Sequence, residues 1–443
     1  MDMETPLKYV DRDVPQLPLE LISKIYTYLP KDHILRVGKY VSTALRKELS
    51  SYHFASAFIN NNPNLSKNVL LFDNDTVFSL LGVDYPPTSQ VAYRTRVTVP
   101  SPISDLLNDD DDDDDDDEEC MHEYDDDDVQ LHFHGSTCGL ICLTIDKKRE
   151  RSGYFIWNPT IGKCCELPRF SDSNSQVFGI GHSGDGNIEI VCITGAGLVG
   201  FPIVINCLNL SNRQWETIQT DALFMGTNPS YVGVAGDVLL WEYLCENENE
   251  NENAEFINGY NFHTRSIIAI QKPSLLPPTL ELKRLILQKW ELKRHYFVRF
   301  YVAGDCLWAL GEDRYQGFNF LRRYDVGGGA IDWESALDGF EIPSGMVNAV
   351  IGSSADFTRL LFLNNEEHLL VFHTARQGVD YPITFVDSPD PNGVNLPAES
   401  VSQTAEFLNL KSIEFEQTLF FPEVPRTAVP KDPEGSTSTS SAV

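Results

Sequence analysis

Gly139-Leu140-Ile141-Cys142-Leu143, Ile188-Glu189-Ile190-Val191-Cys192-Ile193, Asp237-Val238-Leu239-Leu240-Trp241, Asp305-Cys306-Leu307-Trp308-Ala309-Leu310 and Arg359-Leu360-Leu361-Phe362-Leu363 are five versions of one element. Each is a short apolar run, long enough for a strand buried on both faces and too short for a helix. Their starts lie 49, 49, 68 and 54 residues apart. Three are entered through Ser183-Gly184-Asp185-Gly186, Gly236-Asp237 and Gly304-Asp305, sequences that favour tight hairpins. A second element follows each one: an apolar strand, then a polar turn marked by Asn158, Asn209, Asn261, Asp325 and His373. Those markers step by 51, 52, 64 and 48 residues. Two independent elements share a period near fifty, and both stretch between the third and fourth copies. That is the pattern of a β-propeller with an insertion at one blade.

The termini complete the pattern. Val69–Phe72 and Arg94–Val99 on one side, and Ser412–Phe415 with Leu419–Phe421 on the other, supply strands for a sixth blade made from both ends of the chain. Joining the ends in one sheet removes two exposed edges. The expected fold is therefore an α+β multidomain chain. A small all-α unit of three helices over 14–54 precedes an all-β domain over 65–425, a six-bladed β-propeller, with a β-sandwich as the alternative. The insertion over Leu280–His295 places Leu282, Leu285, Ile286 and Trp290 among Lys283, Arg284, Lys289, Lys293 and Arg294. It reads as an amphipathic helix on a blade edge, or as a docking face for an acidic partner.

The N-terminal segment has a different period. Leu17, Leu21, Ile22, Ile25, Tyr28 and Leu29 fall on one stripe of a helix, with Pro18 in its first turn and Pro30 stopping it. Ile34, Leu35 and Val37 begin a second helical stretch, and Leu45 and Leu49 are in step in a third. A unit of about forty residues cannot bury such a stripe unaided.

The net charge of −31 is mostly local. Residues 105–128 carry 17 Asp or Glu and no Lys or Arg, and Glu246–Glu255 holds five more acids. Both inserts, like the tail over 426–443, read as disordered solvated segments, since like charges repel and nothing apolar is there to bury. The sharper reading of Asp109–Asp117 is a lure for a basic partner or a sponge for divalent cations. A homopolymer lacks the ordered spacing of a calcium loop.

Catalytic signatures are sparse. The chain has no Gly-x-Ser-x-Gly elbow, phosphate-binding loop or zincin helix. Gly179-x-Gly181 leads into a turn and not a helix. His132-x-His134 with Cys138 and Cys142 is the one metal-like grouping, and it reads better as buried thiols. Adjacent Cys164 and Cys165 would make a strained disulfide. Nine cysteines without a pairing framework, a polar stretch over 1–16 and the absence of an apolar run of about 18 residues give the expectation of reduced thiols in cytoplasm or nucleus.

The order Leu17-Pro18, Glu20-Leu21-Ile22, Leu29-Pro30, Leu35-Arg36, Val41-Ser42, Ser50-Ser51 and Phe54 resembles an F-box, with Leu45 near the place where that motif usually has a tryptophan. Gly135-Ser136-Thr137-Cys138-Gly139-Leu140-Ile141-Cys142-Leu143, then Trp157-Asn158-Pro159-Thr160-Ile161-Gly162-Lys163 and Glu166-Leu167-Pro168, is similar to the F-box-associated region of plant F-box proteins, which is kelch- and propeller-like. The usual Asn before Gly139 is Cys138 here.

The resemblance implies a non-catalytic substrate-recognition subunit of a Skp–cullin–F-box ubiquitin ligase. It has no cofactor or metal and does not engage nucleic acid or membrane. A Skp-family adaptor, and through it a cullin–RING ligase, would be held by Leu17, Pro18, Leu21, Ile22, Ile25, Leu29, Pro30, Ile34 and Leu35. The ring would hold an unidentified target protein. The alternatives are a propeller scaffold outside any such ligase, or a carbohydrate-binding or enzymatic propeller.

Overall fold

A computed structural model describes residues 18–29, 34, 43–62, 68–72, 78–82, 91–97, 99–107, 130–146, 153–168, 175–194, 202–223, 228–244, 256–273, 296–313, 318–326, 333–335, 342–343, 349–354, 357, 359–363, 369–373, 378–379, 384–387, 411–415 and 422. Leu17, Pro30, Leu35, the acidic insert from 108 onward, the Glu/Asn tract, the insertion over 280–295 and the tail over 426–443 lie outside these residues.

Helices come first: α1 (Leu19–Tyr26), α2 (Thr43–Leu49) and α3 (Tyr52–Asn61). Ser50-Ser51, expected to close the helical unit, instead opens α3. The Ser51 hydroxyl caps that helix by accepting from the Phe54 N–H at 3.1 Å. The boundary expected at residue 54 thus falls inside a helix. Strands β1 (Asn68–Phe72), β2 (Phe78–Gly82) and β3 (Val91–Val97) form an antiparallel meander. Helix α4 (Ser101–Leu107) follows it and takes in the first three residues of the expected acidic loop.

Five blades succeed one another. The first contains β4 (Gln130–Thr137), β5 (Leu140–Asp146), β6 (Gly153–Asn158) and β7 (Lys163–Glu166). The second contains β8 (Ser175–His182), β9 (Ile188–Thr194), β10 (Pro202–Asn209) and β11 (Gln214–Leu223). The third contains β12 (Asn228–Ala235), β13 (Val238–Leu244), β14 (Phe256–Asn261) and β15 (Ser266–Gln271). The fourth contains β16 (Tyr296–Ala303), β17 (Cys306–Asp313), β18 (Phe318–Asp325), β19 (Glu334–Ser335) and β20 (Ile342–Pro343). The fifth contains β21 (Ala349–Ser353), β22 (Arg359–Leu363), β23 (Leu369–His373) and β24 (Gly378–Val379). Every copy of the first repeated sequence element lies on the second strand of a blade, and every marker of the second element lies at the end of a third strand. The chain is a β-propeller.

One further sheet joins the ends of the chain. Strands β25 (Thr384–Asp387) and β26 (Lys411–Phe415) flank the meander in the order β25-β3-β2-β1-β26. β26 is antiparallel to β1, with Leu70 opposite Ile413, while β25 runs parallel to β3. The innermost strands touch in sequence, β4 to β8, β12, β16, β21 and β26, and β26 returns to β4. The C-terminal segment therefore grips the N-terminal meander on both edges and closes the circle.

Apolar packing between neighbouring sheets holds the ring. Val177, Val191 and Ile205 of the second blade meet Leu239, Trp241 and Phe262 of the third. Trp308 of the fourth blade shares a cluster with Leu360, Phe362 and Phe372 of the fifth. Gly179 and Gly181 belong to this packing: a Cβ on Gly179 would come within 2.7 Å of Leu239, and one on Gly181 would run into the ring of Phe262. Their spacing reflects close approach of two blades and not a nucleotide loop. Indole N–H groups tie the outer rims. Trp215 donates to the Pro168 carbonyl of the preceding blade at 3.3 Å, and Trp333 to the Gln271 carbonyl at 2.7 Å.

Two buried polar groups sit inside this apolar frame. Glu189 of β9 is paired with Arg265 from the β14–β15 turn, which spans the second and third blades. Burial raises the Glu189 carboxyl pKa, and Arg265 opposes that rise. His134 of β4 packs against Phe178 and Tyr231, with ring centroids 5.3 and 5.7 Å away. Its Nε2 is bonded to the Thr144 hydroxyl at 2.8 Å. Burial pulls the His134 pKa down to about 3, with His132 adding to the effect.

Two predictions follow from closure and from His134. Deleting residues 411–443 removes the inner strand of the joining sheet. The expected result is loss of the cooperative thermal transition and rapid limited proteolysis; a truncated chain that melts like the intact one refutes the clasp. His134 is held below its ordinary 6.5, so the unfolded chain binds the extra proton. The associated stability is complete above that value and is lost as pH falls toward 3. Urea midpoints measured from pH 7 to pH 4 should fall more steeply for the native protein than for His134→Gln, and parallel curves count against this assignment.

Candidate functional site

Helix α1 begins at Pro18, whose carbonyl accepts from the N–H groups of Leu21 and Ile22 at 3.0 and 3.1 Å. Pro18 is thus the N-cap, one position before the first turn where the sequence placed it, and its side chain offers no cap bond. Glu20 in the first turn and Lys24 in the last match the helix dipole. The helix ends at Tyr26, four residues ahead of Pro30, so a proline is not what stops it.

The end is set by Thr27. Its hydroxyl donates to the Lys24 carbonyl at 2.8 Å, accepts from the Asn61 amide at 3.0 Å, and its carbonyl accepts from the Asn62 amide at 2.8 Å. Those amides come from the far end of α3 and satisfy groups that a helix C-terminus leaves orphaned. Ser23 adds a 3.4 Å bond to Glu48 of α2.

The apolar residues of α1 and of the turn after it divide between two directions. Ile22, Tyr26 and Leu29 pack on a cluster of Ile34, Leu45, Leu49, Phe54 and Phe58. Leu21, Ile25 and Tyr28 point away and are 49, 52 and 64% exposed. Leu21 and Ile25, at i and i+4, line one face of α1, and Tyr28 lies in the turn that follows it. Covering the exposed half of each side chain is worth on the order of 1 kcal/mol apiece.

Of the nine residues expected to meet an adaptor, the structure brings Leu21 and Ile25 together on the open face, with exposed Pro18 at its N-terminal end. Ile34 is a correction: it is buried in the helical cluster and supports the face from behind. Ile22 and Leu29 also turn inward and are only partly buried. Leu17, Pro30 and Leu35 fall outside the described residues. Sequence reading missed Thr27, Asn61 and Asn62, although an Asn run directly after Phe58-Ile59 is a usable sign of a helix end.

Helix α3 has two apolar faces. Phe54 and Phe58 enter the helical cluster, while Tyr52, Ala55 and Ile59 pack with Leu140, Ile188 and Leu210 of the first two blades. Tyr52 lies edge-on to His182 with centroids 5.7 Å apart, and His182 pairs with Asp237 of the next blade at 2.7 Å. The helices therefore sit over the turns that join the first and second strands of neighbouring blades.

Chemistry elsewhere is muted. Cys138 and Cys142 share the α3-facing cluster, and burial alone pushes the Cys142 thiol up to about 12. Cys164 and Cys165 pack in different clusters on opposite faces of β7, which keeps the two sulfurs apart. Among the described residues, no three His, Cys, Asp or Glu side chains are grouped to hold a metal ion. No helix among them is long and apolar enough to cross a membrane.

No protein-family model matches this chain, and no curated protein matches it. Solved structures do. TolB from Acinetobacter baumannii is 11% identical with a TM-score of 0.38, over 76% of this chain and 70% of that one. Oligogalacturonate lyase from Vibrio parahaemolyticus is 8% identical at 0.33, over 71% and 84%. A Mycobacterium tuberculosis puromycin-hydrolyzing peptidase is 10% identical at 0.32, over 73% and 45%. At these values nothing about site or activity passes to this chain.

The division of α1 predicts a contrast in stability. Leu21→Ser and Ile25→Ser should each cost about 0.5 kcal/mol or less, whereas Leu49→Ala should cost about 2–5 kcal/mol. Urea denaturation of the three variants checks this, and equal costs refute the inward and outward assignment.

Proposed function

We propose that this chain is the substrate-receptor subunit of a Skp–cullin–F-box ubiquitin ligase, holding the adaptor on α1 and a target protein on the ring. One observation carries the reading: Leu21 and Ile25 on α1, with Tyr28 in the turn that ends it, are exposed apolar side chains on a segment whose other face is already packed. A partner's groove would take those side chains in the helix-in-groove manner. The motif order from Leu17 to Phe54 supports the same identification. Helices α1 to α3 are then the F-box with an extension to Asn61, and the sheet that joins the chain ends is counted as the sixth blade. Catalysis belongs to other subunits, and the ring contributes by holding its target near the charged conjugating enzyme, which raises the effective concentration.

The test is co-purification of a Skp-family adaptor and cullin with the full-length protein. The intact chain should capture both. Leu21→Ser with Ile25→Ser should abolish capture while the thermal transition of the ring stays within a few degrees. An intact, folded protein that captures no adaptor overturns the reading.

A further inference from the structure

The seat of the helices on the ring converges on one titratable side chain. His182 closes β8, and its Nδ1 lies 2.7 Å from the Asp237 carboxylate in the β12–β13 turn, so the pair ties the second blade to the third. The ring of Tyr52, at the start of α3, stands edge-on to the same imidazole, with the two planes 81° apart. The imidazole is 27% exposed and the carboxylate 42%, so water reaches the pair while the protein holds the imidazole plane from two sides. The surrounding elements bring further ionisable groups. On α3, the ring of His53 lies 6.1 Å from that of Tyr52. Around the Tyr52 hydroxyl are Ser56, Cys138 of the β4–β5 turn, and Asp237. The β14–β15 turn sets His263 against Gly184. Glu189 of β9, the strand paired with β8, is already held by Arg265. Asp185 of the β8–β9 turn is held below the usual carboxylate range by the Ser183 hydroxyl and the Asn187 N–H, so its charge is constant while histidines titrate.

We propose that His182 is a pH-sensitive latch between the helices and the ring. In the protonated imidazole both nitrogens carry hydrogens, and Nδ1 donates to Asp237 in a charge-assisted bond, about twice as strong as a neutral one. That bond fixes the imidazole plane on which the Tyr52 contact depends. The neutral imidazole has one hydrogen to place, and with it on Nε2 the Nδ1 lone pair faces a carboxylate. The plane is then released and the contact with α3 weakens. The latch is therefore complete at mildly acidic pH and is lost as pH rises through the range of about 5 to 8 in which histidine changes charge. His134 acts in the opposite direction and in a lower range, costing stability as pH falls toward 3. The effect passes beyond α3, because Asn61 and Asn62 at the end of that helix hold Thr27, where α1 stops. A loosened α3 thus loosens the support behind Leu21 and Ile25. The latch stands without the adaptor reading; where that reading holds, it makes the firmness of the docking face depend on pH.

Hydrogen exchange of the full-length protein, read by mass spectrometry at pH values on either side of the histidine range and expressed as protection factors, tests the latch. Protection over Tyr52–Asn61 should be roughly three- to fivefold lower at the higher pH, the size that a partly exposed pair supports. Protection over Arg359–Leu363 of β22, remote from the latch, should not change. His182→Gln and Asp237→Asn should each give equal protection over α3 at both pH values, whereas His53→Gln and His263→Gln should keep the native difference. The thermal transition of each variant shows whether its ring is folded, and Asp237→Asn, at the more exposed partner, carries the test if His182→Gln does not fold. Equal protection of the native α3 at both pH values overturns the latch, as does protection that rises with pH. A difference that survives in folded His182→Gln and Asp237→Asn, or one that disappears in His53→Gln or His263→Gln instead, overturns the assignment to His182. A loss of the same size over β22 overturns it too, since the ring as a whole would then be the part that responds.

Discussion

Everything in the ring depends on the pairing of β26 with β1. A circle of sheets packed face to face has two free ends, and each would expose a strand edge and one apolar face. Placing Lys411–Phe415 against Asn68–Phe72 brings the last strand between β21 and β4 and gives both neighbouring sheets something to pack on. The parallel strand β25 grips the same meander from its outer edge. Closure is thus a contact of very long sequence separation, and it costs chain entropy that local hairpins do not. The five intervening blades need it without being able to supply it.

Much of this ring was legible because a blade imposes a strong local code. The second strand is buried on both faces, so it reads as an unbroken apolar run, and the turn before it needs left-handed backbone. Gly304 and Asp305 sit at φ of 60° and 61°, as a two-residue hairpin turn requires. Cys138 adopts a φ of 48°, a left-handed conformation that Asn tolerates better than Cys. What periodicity could not reveal is which faces of different blades meet. The Glu189–Arg265 pair links residues 76 apart, and no pattern in either segment marks it. The glycines of β8 were visible as a motif but not as a packing constraint, because Leu239 and Phe262, which fix them, lie more than fifty residues away.

The candidate site shows the same limit more sharply. A helical stripe was evident from Leu17 to Leu29, yet period alone does not say which side of a broad apolar arc is covered. Helix α3 decides that. By presenting Phe54 and Phe58 to the cluster it claims Ile22, Tyr26 and Leu29, and what remains is the narrower face of Leu21, Ile25 and Tyr28. Ile34 was assigned to the open surface because its neighbours in the motif suggested it, and burial moved it inside. The Asn amides that finish α1 act across more than thirty residues and leave only a weak compositional trace.

The double-sided character of α3 also bears on how such a protein can change over time. Tyr52, Ala55 and Ile59 are a wall of the first two blades as much as a wall of the helices. A segment built this way is not a detachable cassette. Recombination that moved residues 18–62 onto a different ring would leave Leu140, Ile188 and Leu210 uncovered on the donor and would give the recipient a helix shaped for the wrong floor. Innovation is therefore freer in the connections on the far side of the ring, where the chain passes from blade to blade away from α3, and inheritance of the helices with their first two blades is expected to be joint.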